Sequence, residues 1–201
     1  MKNLSSSLFH AVITAAYPKC GATLISNPFE NAPHRNRALV SIIDHLASEG
    51  TTGVVLNRPS GMTLDQVVSG INPDTNIPVF CGGPNDQETL FFIHNLGPDI
   101  LPGSRLYSPG LYVGGDISTI KSYINSGYPV EGCVRFFAGY TLWERGELEK
   151  QLEEGQWGME SAPTPMDVLS GIGDKAWFNA VKRQGDALRP WMLVPRHPEF
   201  N

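Results

Sequence analysis

Residues 132–157 read GCVRFFAGYTLWERGELEKQLEEGQW, which parses as strand, tight turn, helix and stop. Cys133–Phe137 is an apolar run broken only by Arg135, the pattern of a buried or half-buried strand. Ala138-Gly139-Tyr140 interrupts it. Thr141 then offers an N-cap, and Glu144 three residues on completes a capping box in which each side chain satisfies the other's free backbone N–H. Leu148 and Leu152 share one face of the predicted helix, while Glu147, Lys150, Glu153 and Glu154 turn to water. Gly155 supplies the left-handed stop. On this parsing Gly146 falls inside the helix, where glycine costs ~1 kcal/mol relative to alanine. A close packing partner at Gly146 is therefore expected.

The chain has 201 residues, the size of one domain, here divided into an N-terminal extension (1–19), a core (20–160) and C-terminal helices with a tail (161–201). Gly 21 and Pro 16 are high counts, so many turns and short elements are expected rather than a helical bundle. No apolar run is long enough to span a membrane. Phe9, Val12, Ile13 and Ala16 have helical spacing, which favours a short N-terminal helix over a signal peptide. The three cysteines, Cys20, Cys81 and Cys133, form no CxxC pair and sit in apolar contexts, so buried, slow-reacting thiols in a reducing cytoplasm are expected. The formal net charge is −5, and the one basic cluster, Lys182, Arg183, Arg189 and Arg196, is diluted by Asp186 and Glu199. Direct nucleic-acid binding is not expected from such a distribution.

Further strands are read at Ala22–Ser26, Ala38–Ile43, Gly53–Leu56, Ile77–Cys81, Leu90–His94 and Gly110–Val113. The second and third of these form a plausible hairpin, and so do Ile77–Cys81 and Leu90–His94 through Asn85–Thr89. Thr63-x-x-Gln66 is a second capping box, and Asp116 caps a helix whose buried stripe is Ile117, Ile120 and Ile124, stopped by Gly127. Met166–Ser170 and Asp174–Gln184 are helical, and Trp191–Val194 is expected to dock on the body. Hairpin-joined strands with helices inserted between them predict an α+β fold rather than a doubly wound sheet.

Several stretches resemble the YqgE/AlgH family, small bacterial proteins described as transcriptional regulators. In the opening stretch the matching residues are Gly139, Tyr140, Trp143, Gly146, Glu147, Leu148, Glu149 and Trp157; elsewhere they are NRALVSIIDH, GVVLNRP, and GGP followed by FIH. The resemblance implies a branched, mostly antiparallel sheet curled into a pseudo-barrel with helices packed outside. It also implies a regulatory role without fixing a biochemical activity.

Candidate chemistry is sparse. Arg58, in the turn Asn57-Arg58-Pro59 after a strand, has the fork geometry for a carboxylate or phosphate, although such a turn also arises for structural reasons alone. Gly82-Gly83-Pro84 is a glycine-rich strand end of the kind that presents N–H groups to an anion, but no P-loop or G-x-G-x-x-G follows, so no cofactor is expected. A tight turn is the simpler reading of these glycines. His94 ends a strand and is either a general base or a satisfied structural histidine. The five histidines have no metal-ligand spacing, and no nucleophile elbow exists. Tyr140, beside Gly139 in the turn, offers an aromatic wall together with Trp143 and Trp157, although core packing of the strand and helix is the alternative reading of these rings. Turns at strand ends concentrate binding residues, so Arg58, Gly83, His94 and Tyr140 are expected around one cleft with Trp143 beneath it. Without a complete catalytic set, a cytoplasmic protein acting through a protein or small-molecule partner, and not through a membrane, is favoured over an enzyme. A ligand-binding protein or enzyme at that strand-end cleft, and a DNA-binding factor, are the alternatives.

Overall fold

The computed structural model describes residues 17–30 and 35–195. The N-terminal helix expected around Phe9–Ala16 lies outside them.

Strand β9 (Val134–Glu144) is the 11-residue spine of the molecule. Its first half runs between β5 (Pro78–Cys81), which is parallel to it, and β6 (Asn85–His94), which is antiparallel. Its second half pairs with β3 (Gly50–Val55), through Gly53–Thr141, Thr52–Leu142, Thr51–Trp143 and Gly50–Glu144. The sequence reading of Thr141 as a helix cap is thus overturned. Tyr140, Thr141, Leu142 and Trp143 are good strand residues, and ladder pairing plus burial of Trp143, only 2% exposed, outweighs one local cap. The helix α3 (Glu147–Glu153) starts later, and Leu148 and Leu152 are buried as expected. Gly155 takes φ +70, with its N–H on Leu152 O, and stops the helix. Gly146 is not inside the helix but at its N-cap, at φ +77. A Cβ there would meet nothing within 4 Å, so the expected close partner does not exist. Glycine is used at this position for its left-handed backbone, which L side chains enter at a cost.

The ten-stranded sheet is ordered β10-β1-β2-β3-β9-β6-β8-β7, with β5 branching from β9 and β4 (Pro59–Thr63) pairing β5. β1 (Thr23–Ser26), β2 (Leu39–Leu46) and β3 form antiparallel neighbours, the β2–β3 hairpin as expected. β7 (Arg105–Ser108), β8 (Leu111–Val113) and β10 (Trp157–Glu160) complete it. Every pair is antiparallel except β5–β9. The sheet curls until Tyr107 Oη of β7 lies 3.3 Å from Ser41 Oγ of β2, and Arg105 donates to Ile43 O at 3.1 Å, but no ladder joins these strands. The curled sheet stays open.

The expected β5–β6 hairpin does not form, because the two strands lie on opposite edges of β9. The connecting chain has to cross β9, and it does so at Gly82-Gly83 over Gly139-Tyr140. A Cβ on Gly82 would sit 2.1 Å from Gly139 O, and one on Gly83 2.2 Å from Tyr140 C. Gly82 N–H donates to Ala138 O, and Gly82 O accepts from Val55 N–H at 2.7 Å. The Gly82-Gly83-Pro84 stretch therefore serves a backbone crossing.

Side chains alternate between two faces. Ile25, Val54, Phe80, Ile93 and Phe137 face one core, which α4 (Pro165–Leu169) and α5 (Gly173–Arg183) join through Val168, Trp177 and Val181. The opposite face meets α3 at one end, through Leu148 and Leu152 against Trp143 and Trp157. At its other end it meets α1 (Leu64–Val67) and α2 (Ile117–Asn125) around Phe92 and Phe136. Fully burying one such side chain contributes roughly 1.5–3 kcal/mol. The capping box of Thr63 and Gln66 and the Asp116 cap are both present. Ile120 and Ile124 are buried, whereas Ile117 is exposed and leaves the predicted stripe. Gln151 on α3 accepts from Trp143 Nε1 and Trp157 Nε1, both at 2.9 Å, and from Arg35, so one carbonyl ties the helix to both indoles. Trp191 and Val194 dock as expected, while Met192 and Leu193 stay exposed.

The two kinds of glycine make different predictions. Gly82→Ala drives a methyl into the β9 backbone and is expected to cost about 3 kcal/mol or more. Gly146→Ala meets only the φ penalty, ~1 kcal/mol, and Gly146→Asn less. Urea midpoints of the three variants check this. A Gly82→Ala protein as stable as Gly146→Ala would show that the crossing is looser than described.

Candidate functional site

Arg135 is the anomaly of β9: a charged side chain in a buried apolar run, only 4% exposed. Burial of this kind is costly unless the group is partnered. Its Nη1 donates to Val168 O and Ser170 O, both at 3.1 Å, and its Nη2 to Gly171 O. These carbonyls end α4, where a cation is favourable. The guanidinium also lies over Phe80, 3.9 Å from the ring centroid. Among the described residues no carboxylate pairs with it, and Nε has no hydrogen-bond partner. Desolvation pushes its pKa down to about 10, so it remains charged at neutral pH.

Arg135 lines a cleft of about 530 Å³ between β5, the end of α2, the start of β9 and the end of α4. Ile77, Phe80, Ile124 and Val134 form apolar walls, and Tyr128 and Ile172 stand at its border, 59% and 54% exposed. Tyr128 stacks on Tyr123 at 5.1 Å. Glu131 is the acidic lining residue and is exposed. Among the described residues no histidine or cysteine lines the cleft. Among the described residues no group of three or more His, Cys, Asp or Glu is placed to hold a metal. The apolar lining suits a molecule with an apolar body.

The residues expected from sequence are distributed differently. Asn57 is buried and fully engaged: its Oδ1 accepts from Leu39 N–H at 2.9 Å, and its Nδ2 donates to Arg37 O and Gly173 O. Gly173 N–H returns a bond to Asn57 O at 2.7 Å, so Asn57 fixes the chain next to Ile172 at the cleft border. Arg58 donates to Asn36 O, and its own carbonyl accepts from Cys81 N–H. Gly82, Gly83, Pro84 and Gly139 are at the crossing, with Tyr140 half-buried edge-on to Phe91. Trp143 belongs to the α3 cluster, and His94 is fully enclosed beside Phe92 and Tyr112. Of the residues expected around one cleft, Gly83 lies against the Tyr140 backbone with Arg58 tied to Cys81 close by, whereas His94 sits at the far end of β6 and Trp143 in the α3 cluster. Strands alternate sides, and the crossing sends consecutive blocks to different cores. The basic cluster is neutralised in part: Arg183 pairs with Glu160 at 2.8 Å and Asp167 at 3.0 Å. Among the described residues no helix is long and apolar enough to cross a membrane.

His94 has a defined tautomer. Leu96 N–H donates to its Nδ1 at 3.2 Å, so Nε2 carries the proton and donates to Gly114 O at 3.0 Å. Burial holds its pKa below the ordinary 6.5. A depressed histidine pKa means that its contribution is complete above pH 6.5, the unfolded value, and is lost as pH falls below it. The unfolding midpoint is expected to fall on acidification through this window, and less steeply in His94→Asn. Parallel pH profiles for the two proteins would remove His94 as the source.

The thiols also differ from expectation: Cys81 is exposed, while Cys20 and Cys133 are half-buried. Cys81 is the last residue of β5, exposed beyond the buried Val79 and Phe80. Cys20 donates to Ile43 O at 3.2 Å, and burial pushes its pKa up. In the folded protein a thiol reagent is expected to label Cys81 well before Cys20. Equal rates at the two sites would contradict this exposure pattern.

The family model described as AlgH-like (DUF179) matches residues 23–189. A UPF0301 protein of Bacteroides thetaiotaomicron is 33% identical over 199 residues, covering 99% of this chain and 100% of that one. A UPF0301 protein of Parabacteroides distasonis is 31% identical over 195 residues, covering 97% and 98%. A Corynebacterium diphtheriae crystal structure shares the fold with TM-score 0.74 at 21% identity, covering 95% of this chain and 100% of that one. The solution structure of AlgH from Pseudomonas aeruginosa gives 0.68 at 22%, covering 91% and 98%. The chain belongs to the AlgH-like family.

Proposed function

We propose that this protein is a non-catalytic regulator of the bacterial cytoplasm that binds a small molecule in the Arg135 cleft and signals its presence through a protein partner. One observation carries the reading: an apolar cleft of about 530 Å³ with a buried, uncompensated cation in its lining. Small-molecule sites have this size and this sparse polarity. A role without catalysis is supported by the lining, where among the described residues no nucleophile stands beside a base. The hydroxyl of Ser170 is already committed to Met166 O. Direct DNA contact is disfavoured by the net charge of −5 and by the pairing of Arg183. In this reading Asn57 acts as the brace of the cleft wall, and Arg58, Gly82, Gly83 and Gly139 frame the sheet behind it.

A thermal-shift screen of soluble metabolites tests the proposal. At least one compound is expected to raise Tm and to move the amide resonances of Gly132, Gly171 and Ile172 in an NMR titration. If no compound moves those amides, while duplex DNA binds and weakens steeply with salt, a DNA-binding role replaces this one.

A further inference from the structure

We infer that the cleft takes a small organic monoanion: an apolar or aromatic body bearing one carboxylate, whose charge is met by Arg135. This rests on the binding reading above and adds the chemistry of the ligand. A guanidinium has five N–H donors, and three of those of Arg135 are spent on Val168 O, Ser170 O and Gly171 O. Nε has no partner among the described residues. The three carbonyls solvate the cation but do not neutralise it. In a low-dielectric setting an unneutralised charge attracts an anion far more strongly than it does in water. Phe80 covers one face of the guanidinium, and the donor still without a partner is the buried Nε on its edge, the side that a planar carboxylate, the geometry arginine recognises best, has to reach.

The rest of the lining narrows the class. Ile77, Val134 and Ile172 suit hydrocarbon, and Tyr128 offers an aromatic face. Glu131 is exposed and supplies a negative charge to the same cleft. A second anionic group on the ligand would meet it, which disfavours nucleotides and inorganic phosphate.

The probes are octanoate, its neutral analogue octanamide, and inorganic phosphate, titrated into the full chain while the amides of Gly132, Gly171 and Ile172 are followed by NMR. Octanoate is expected to bind about tenfold more tightly than octanamide, and phosphate to leave the cleft amides unmoved. Because Arg135→Met removes the ties to α4 and risks unfolding, the charge is tested at the exposed border. Ile172→Glu is expected to weaken octanoate about tenfold relative to Ile172→Lys, with octanamide indifferent to the change. Equal binding of acid and amide, or of octanoate to the two Ile172 variants, overturns the anion inference and leaves the binding reading standing. Phosphate binding more tightly than octanoate overturns the monocarboxylate class. If neither eight-carbon probe moves the cleft amides, the inference falls, and the metabolite screen then decides the binding reading separately.

Discussion

The close passage of the 82–83 backbone over Gly139 and Tyr140 is the constraint on which the architecture depends. It lets one strand, β9, carry β5 on one edge and β6 on the other although the two are separated by only three residues. Anything larger than hydrogen at Gly82 would push the chain off the Gly139 carbonyl. The sheet would then lose either the branch that bears β4 and β5 or the arm that bears β6, β8 and β7. The branch reaches the cleft, because Phe80 of β5 and Arg135 of β9 come from the two sides of the β5–β9 pairing. The crossing and the candidate site are therefore parts of one construction.

Much of the fold is legible in the sequence where the signal is local and periodic. The strands at Thr23–Ser26 and Leu39–Leu46, the Thr63 and Asp116 caps and the α5 stripe of Ala176, Trp177, Ala180 and Val181 follow from alternation, capping chemistry and helical spacing. The failures come where a local signal competes with distant partners. Thr141-x-x-Glu144 is a sound capping box by composition, but β3 offers Thr141 a ladder and Trp143 a core. Gly146 reads as a helix interior only because the helix is started too early. The strands β7 and β10 have no strong periodic signature and owe their existence to the partners they find on β8 and β1.

The candidate site was less legible. Sequence motifs draw attention to the turns at strand ends, and the structure gives those turns framing duties. Asn57 spends its side chain on three backbone groups, and His94 spends both ring nitrogens on the backbone. The residue that stands out in space, Arg135, had a signal in the sequence: a lone charge inside an apolar strand, which is rare unless something holds it. What it faces was not readable, because Val168, Ser170 and Gly171 lie more than thirty positions away and their carbonyls carry no sequence signature.

The position of β9 along the chain has a consequence for biosynthesis. Its partners β3, β5 and β6 all precede it, so a chain emerging N-terminus first holds three strands whose shared partner has not yet been made. Long-range pairing of this kind is slow, and open strand edges invite pairing with other copies in the interval. The early part of β6 carries Asp86 and Glu88, both exposed, and β5 is only 4 residues long. Charge on one waiting strand and brevity in another keep these edges poor templates until residue 144 has left the ribosome and the strands can assemble on their spine.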